Sequence, residues 1–125
     1  MAAGNSHSLV LKEDGSVWAT GRNNYGQLGD GSTTDKSDFA EVSGGVKAVA
    51  AGFSHSMVLK QDGSVWTTGY NNFGQLGDGT TTSRSRFVEV IQGGVKAVIM
   101  GGYHSLVLKE DGSVLGTGSN SFGQL

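Results

Sequence analysis

The segment His7–Gly21, HSLVLKEDGSVWATG, returns as HSMVLKQDGSVWTTG at His55–Gly69 and as HSLVLKEDGSVLGTG at His104–Gly118. The period is 48 to 49 residues. A unit copied in tandem at that spacing builds a solenoid, an array or a propeller, in which each copy buries its apolar surface against the next. Residues shared by all copies serve the architecture. Function is sought where the copies differ.

One full unit runs from Val46 to Val90 and reads as four short strands. VKAVAAG is followed by SHSMVLK, then by Gln61-Asp62-Gly63, then by the return strand SVWTTG. Asp-Gly between two apolar runs is a strong hairpin signal, and it recurs as Asp14-Gly15, Asp62-Gly63 and Asp111-Gly112. A type I′ turn, with positive φ at both residues, is expected there. A long polar loop, Tyr70–Arg86, leads to the outer strand. Strands are predicted near Ser6–Lys12, Ser16–Gly21, Val46–Ala51, Ser54–Lys60, Ser64–Gly69, Val95–Met100, His104–Lys109 and Ser113–Gly118. Outer strands are predicted near Phe39–Val42 and Phe87–Ile91. Four strands per unit is the size of a propeller blade. The apolar runs, such as Leu9-Val10-Leu11, do not alternate with polar residues, which points to sheets covered on both faces. No segment shows a 3.6-residue period. Glycine supplies 22 of 125 residues, against about 7% on average. It falls at fixed places between the apolar runs, which is turn chemistry in an ordered all-β chain.

The net charge of −2 and isoelectric point near 5.8 provide no basic patch, so neither nucleic acid nor an anionic membrane is the expected partner. No apolar run approaches 18 residues, and MAAGNSHSLV lacks the layout of a signal peptide, so a soluble protein is expected. Without cysteine there is no disulfide, thiol nucleophile or thiolate metal site.

Gly52-Phe53-Ser54-His55-Ser56, Asp62-Gly63, Val65-Trp66, Gly69, Asn71 and Gly74-Gln75-Leu76-Gly77-Asp78-Gly79 resemble the repeat of the regulator of chromosome condensation (RCC1) family. The resemblance covers the whole chain and implies an all-β β-propeller, commonly of seven four-stranded blades. Two positions depart from the family pattern. Phe39 and Phe87 stand where a proline is common, and Leu115 stands where Trp18 and Trp66 stand in the other copies.

Residues 1–125 form a single array of units at about 1–48, 49–97 and a partial 98–125. About two and a half blades are present, and closed propellers need four to eight. The expectation is a partial propeller completed by oligomerisation. Chains would stack head to tail, a dimer being favoured, and cover apolar faces that include Leu9, Val10, Leu106 and Val107. Because both ends of the sequence fall inside a unit, the alternative is a designed or truncated structural fragment with no partner beyond itself.

The repeated residues have architectural explanations. His7, His55 and His104 are expected to hydrogen-bond within or between blades. Glu13-Asp14 and Glu110-Asp111 sit at hairpin tips, where Asp is wanted for the turn, and Gln61 replaces the glutamate in the second copy. Gly29-Asp30-Gly31 and Gly77-Asp78-Gly79 lack the lysine of a phosphate loop and read as Asp-held turns. Trp18, Trp66, Tyr25, Phe73 and Phe122 read as packing between blades. No catalytic residue, metal ligand or cofactor is expected, and the protein is read as a non-enzyme. The copies diverge at Asn5-Ser6, Phe53-Ser54 and Gly102-Tyr103, and at Arg22, Tyr70 and Ser119. Phe53, Tyr103, Arg22 and Tyr70 have the composition of binding hot spots on loops over a rigid frame, and are the candidate protein-binding residues. The resemblance agrees, since RCC1-like propellers act on other proteins. Bacterial β-lactamase-inhibitor propellers are similar in placing an aromatic just before His-Ser, as Tyr103 is placed here. Ser6 and Ser54 do not match, so that activity is not carried over, and neither is nucleotide exchange.

Overall fold

The computed structural model describes residues 2–120 and 123, and all regular structure in them is β. Strands β1 (Ala2–Ala3), β2 (His7–Leu11), β3 (Val17–Gly21) and β4 (Lys36–Ser43) form an antiparallel meander. β5 (Val46–Ala51), β6 (His55–Lys60), β7 (Val65–Gly69) and β8 (Arg84–Ile91) repeat it, and β9 (Val95–Met100), β10 (His104–Lys109) and β11 (Val114–Gly118) form a three-stranded third sheet. These are consecutive propeller blades that do not close into a ring.

Two cores lie between the sheets. Leu9, Val17, Ala19, Leu28, Val46 and Val58 pack between the first and second blades. Met57, Leu59, Val65, Val95 and Val107 pack between the second and third. Val58 therefore points one way from β6 while Met57 and Leu59 point the other, as the period-2 geometry of a strand requires. This is why the β6 sequence is apolar without interruption: both of its faces are covered. Burying each such side chain contributes roughly 1.5–3 kcal/mol, so the blades are held mainly by their neighbours.

The open apolar surface differs from expectation. Leu9 and Val107 are buried, because they face inward onto the second blade, and Val10 and Leu106 are half-buried. The exposed aliphatic residues of the third blade are instead Ile99 and Val114 on its outer face and Leu115 on the face toward the second blade.

The outer strands begin three residues earlier than their apolar cores suggest. A register shift after Ala19 and Thr67 brings Lys36 opposite Gly21 and Arg84 opposite Gly69. The hydroxyls of Thr20 and Thr68 each lie 2.9 Å from the carbonyl of that first residue. Polar side chains thus extend pairing that hydrophobicity alone does not mark.

The hairpin turns also differ from expectation. Positive φ occurs at Gly15, Gly63 and Gly112, and at no non-glycine residue among the described residues. Gly63 N–H donates to Lys60 O at 3.0 Å, and Lys60 N–H donates to Ser64 O at 2.9 Å. This is a three-residue loop ending in a left-handed glycine rather than a type I′ turn. The aspartate is selected by its side chain: Asp62 Oδ1 accepts from Ser64 N–H at 2.9 Å and from Ser64 Oγ at 2.6 Å, and Asp14 and Asp111 repeat the arrangement. These bonds hold all three carboxyls below the ordinary value. Gly63→Val should therefore destabilise the second blade by about 1–3 kcal/mol through backbone strain. Asp62→Ala should cost less, since only the Ser64 contacts are lost. Thermal melts of the two single variants check the order.

Candidate protein-interaction rim

The two ends of each blade differ. Hairpin tips lie at one rim, where Val46 N–H bonds Gly15 O and Val95 N–H bonds Gly63 O, tying each tip to the next blade. At the opposite rim the NNxGQLG loop of one blade folds over the strand entry of the next. Asn23 is wholly buried there. Its Nδ2 lies near Asp30 Oδ1, Ser32 O and Thr34 O at 3.0–3.1 Å, and its Oδ1 accepts from Leu28 N–H at 2.9 Å. Asn71 does the same for the second loop through Asp78, Thr80, Thr82 and Leu76. The Gly-Asp-Gly aspartates are thus structural. Burial would raise the Asp78 carboxyl, but bonds from Thr80, Arg84 and Asn71 outweigh it and hold the group at about 2. Arg84 Nε reaches Asp78 Oδ2 at 2.9 Å.

Under this loop runs a repeated hydrogen-bond relay between blades. Ser56 Oγ donates to Gln27 O at 2.6 Å and lies 2.9 Å from His7 Nε2. Ser105 Oγ donates to Gln75 O at 2.7 Å and lies 3.1 Å from His55 Nε2. Because the serine proton is committed to the carbonyl, Nε2 carries the imidazole proton and donates. Each histidine so pins its own blade to the following one. Burial pushes both imidazoles down to about 4, leaving them neutral near pH 7.

Five rings from four segments of the chain form one contiguous surface at this rim. Tyr25 meets Tyr70 with ring centres 4.6 Å apart; Tyr70 meets Phe73 at 6.2 Å and Tyr103 at 6.1 Å. Tyr103 also meets Phe73 at 5.5 Å and Phe53 at 5.1 Å. Most contacts are edge-to-face, the arrangement that ring quadrupoles favour. Tyr25, Phe53, Phe73 and Tyr103 nevertheless keep 40–49% of their surface open.

The structure therefore brings Phe53, Tyr70 and Tyr103 together. Arg22, exposed and in the register of Tyr70 one blade earlier, bonds Ser6 O through its N–H as Tyr70 bonds Ser54 O, and makes no ring contact among the described residues. Tyr25 and Phe73 were expected between the blades and stand instead on the rim. Their backbone N–H groups donate to the Gln27 and Gln75 side chains, which holds the tip of each loop outward. Trp66 packs against the core between the first and second blades, as expected. The indole N–H of Trp18 and of Trp66 donates to the serine of its own hairpin, and Lys12 and Lys60 cover the rings at 4.1 and 4.4 Å. Phe122 lies outside the described residues. No group of three or more His, Cys, Asp or Glu among the described residues could hold a metal, and the described residues include no helix long and apolar enough to cross a membrane.

The regulator of chromosome condensation (RCC1) repeat model matches residues 1–27, 46–75 and 95–124, and a second form of the same repeat matches residues 62–108. The chain belongs to the RCC1 repeat family. Its RCC1 repeats are 50% identical over 42 residues to the human X-linked retinitis pigmentosa GTPase regulator, a match covering 34% of this chain and 4% of that protein. The mouse counterpart is 46% identical over 41 residues, covering 33% and 4%. The chain thus spans a small fraction of the length of these relatives. Among solved structures, human WBSCR16 superposes with a TM-score of 0.84 at 31% identity, over 98% of this chain and 34% of that one. Yeast RCC1 (Prp20), solved bound to Kap60, gives 0.83 at 26% identity, over 96% and 29%. A second Prp20p structure from Saccharomyces cerevisiae, described with binding properties to Gsp1p and histones, gives 0.75 at 28% identity, over 96% and 30%. The RCC1 repeats place the present chain among propellers that cover about three times its length.

Proposed function

We propose that the chain is a non-catalytic propeller scaffold that binds another protein through the aromatic rim. The observation that carries this is the five-ring surface itself. Exposed aromatic clusters on a rigid frame lose little conformational entropy on binding and supply the residue types that dominate interface energetics. The buried Asn23 and Asn71 networks supply the rigidity. The related Prp20 is described with Kap60, Gsp1p and histones, which supports a binding role rather than a chemical one. Tyr103 touches three other rings and is the expected centre. In calorimetric titration against a bound protein, Tyr103→Ala should weaken binding by about 2 kcal/mol or more, and Phe53→Ala and Tyr70→Ala by about 1 kcal/mol or more. Arg22→Ala is expected to act at the edge with a smaller loss. Phe39→Ala, an exposed ring outside the cluster, should change nothing. Equal, negligible effects at all four rim residues would overturn the proposal.

A second role rests on the third blade. Ile99 and Val114, on the outer face of the third blade, are 61% and 62% exposed, an apolar surface of the kind that Met57 and Val65 bury in the second blade. Head-to-tail stacking of a further chain would cover it, and a dimer is the simplest assembly that completes a six-bladed ring. Sedimentation at micromolar concentration should give twice the 12.9 kDa chain mass. A monodisperse monomer with a cooperative melt would contradict this role.

A further inference from the structure

The long loops of the first two blades share a frame and differ in charge. Residues 29–38 read GDGSTTDKSD, and residues 77–86 read GDGTTTSRSR. Aligned by copy, residues 80–82 match residues 32–34, Ser85 matches Ser37, and Ser83 matches Asp35. Among the hydroxyl residues of the second loop, Ser83 is the one whose counterpart is a carboxylate. Both residues cap the buried asparagine that holds their loop together. Asn23 N–H donates to Asp35 Oδ1 at 2.8 Å, and Asn71 N–H donates to Ser83 Oγ at 3.2 Å. The carboxylate bond is charge-assisted and the shorter of the two. The first loop thus shows that the fold accepts an anion at this place, where the second offers a neutral hydroxyl.

Ser83 is also placed for modification. It is exposed, as are residues 79–82 before it, and residues 81–83 belong to no strand or turn. A modifying enzyme can take hold of such a segment without opening the blade, because few packed contacts restrain it. Its neighbours are less suited. The Thr80 hydroxyl already donates to Asp78 Oδ1 at 2.7 Å. Ser85 is half-buried in β8, close against Gly26. The chain after Ser83 is basic. Arg84 and Arg86 stand where the first loop has Lys36 and Asp38, and residues 84–88 include no acidic side chain.

We propose that Ser83 is a phosphorylation site for a serine/threonine kinase that recognises the arginines at 84 and 86. In the transfer, Ser83 Oγ attacks the γ-phosphorus of ATP. The new Oγ–P bond forms as the bond to the ADP oxygen breaks, and the hydroxyl proton passes to the base of the kinase. The product carries a charge of about −1.5 to −2 near neutral pH. It gives the second loop the anionic acceptor that Asp35 gives the first, with Asn71 N–H as donor. Tyr70 directly precedes Asn71 in the chain, so the new charge arrives at the edge of the aromatic rim. The assignment of Ser83 does not depend on what that rim binds.

The test has two arms, both on the folded 125-residue protein. In the first, a panel of kinases selective for basic substrates is supplied with magnesium and ATP, and the phosphate is located by peptide mass spectrometry. Stoichiometric transfer to Ser83 is expected from at least one kinase, with none to Ser83→Ala. Transfer to Arg86→Gln should be about tenfold slower, since a charge-assisted contact to the kinase is lost. In the second arm, phosphoserine is installed at residue 83 during synthesis and the Asn71 amide is followed by NMR. Its proton should move downfield as the pH is raised through about 6, where the phosphate takes its second charge. Ser83→Asp should move the same resonance downfield at neutral pH. No transfer by any kinase of the panel, transfer to Thr80, Thr81, Thr82 or Ser85 in preference to Ser83, or an Asn71 amide that does not respond to the ionisation of the phosphate would each overturn the proposal.

Discussion

Acid should unfold this protein in the range where histidines titrate, above the range of its carboxylates. His7 and His55 are buried, and burial holds them at about 4 in the folded chain against an ordinary value of 6.5. Between those values the unfolded chain takes up protons that the folded chain refuses. Stability is therefore full above about pH 6.5 and is lost as the pH falls toward 4. A depression of that size corresponds to about 3 kcal/mol for each imidazole, a large part of the stability of a domain this small. Protonation would put a second N–H on Nδ1, which in both residues is buried without a hydrogen-bond partner among the described residues. Carboxylates such as Asp78, held at about 2, act only below this window. Circular-dichroism melts at pH 7, 6, 5 and 4 should show a steep fall in Tm. The double variant His7→Gln with His55→Gln should start lower at pH 7 and stay nearly flat to pH 4. A wild-type Tm unchanged from pH 7 to pH 4 would show that the imidazoles are not buried in the relay.

The second large effect is expected at Gly69. Its φ of +111° is a conformation L side chains rarely adopt. A Cβ there would lie 2.5 Å from Ser54 O, 2.8 Å from His55 Cα and 3.1 Å from Gln27 Cα. The close approach belongs to the strand crossing where the GQL loop of the first blade enters the second. Gly69→Ala combines backbone strain with overpacking against main chain that cannot yield, for about 3–5 kcal/mol. Gly44→Ala, at a position with ordinary φ and open space around it, should stay within about 0.5 kcal/mol of wild type. Denaturant titrations of the pair measure the difference directly.

The repeats, the hairpins and the inner strands were legible because each is written locally: an apolar run, then Asp-Gly, then another apolar run. What the sequence concealed depends on partners one blade away. His7 looks like any strand-entry histidine until Ser56, 49 residues on, is placed beside it. Tyr25 and Phe73 look like packing residues because they recur in register, yet recurrence is equally required of a loop tip that the Gln27 and Gln75 side chains hold outward. The candidate residues Phe53, Tyr70 and Tyr103 were visible as places where copies diverge. Their mutual contact was not, since it depends on how far one blade is rotated against the next. The turn type is not written in the dipeptide, because Asp-Gly serves both hairpin classes, and only the Ser64 contact to Asp62 distinguishes the role of the aspartate here.

The central claim is that the aromatic rim binds protein while the blades beneath it serve as a frame. Parallel affinity capture with the wild type and with the triple variant Phe53→Ser, Tyr70→Ser, Tyr103→Ser tests it, each captured protein being purified and titrated against both. The rings are on the surface, so both forms should melt alike. At least one captured protein should bind the wild type directly and lose a hundredfold or more in affinity for the triple variant. Captured proteins that bind both forms with equal affinity would contradict the claim.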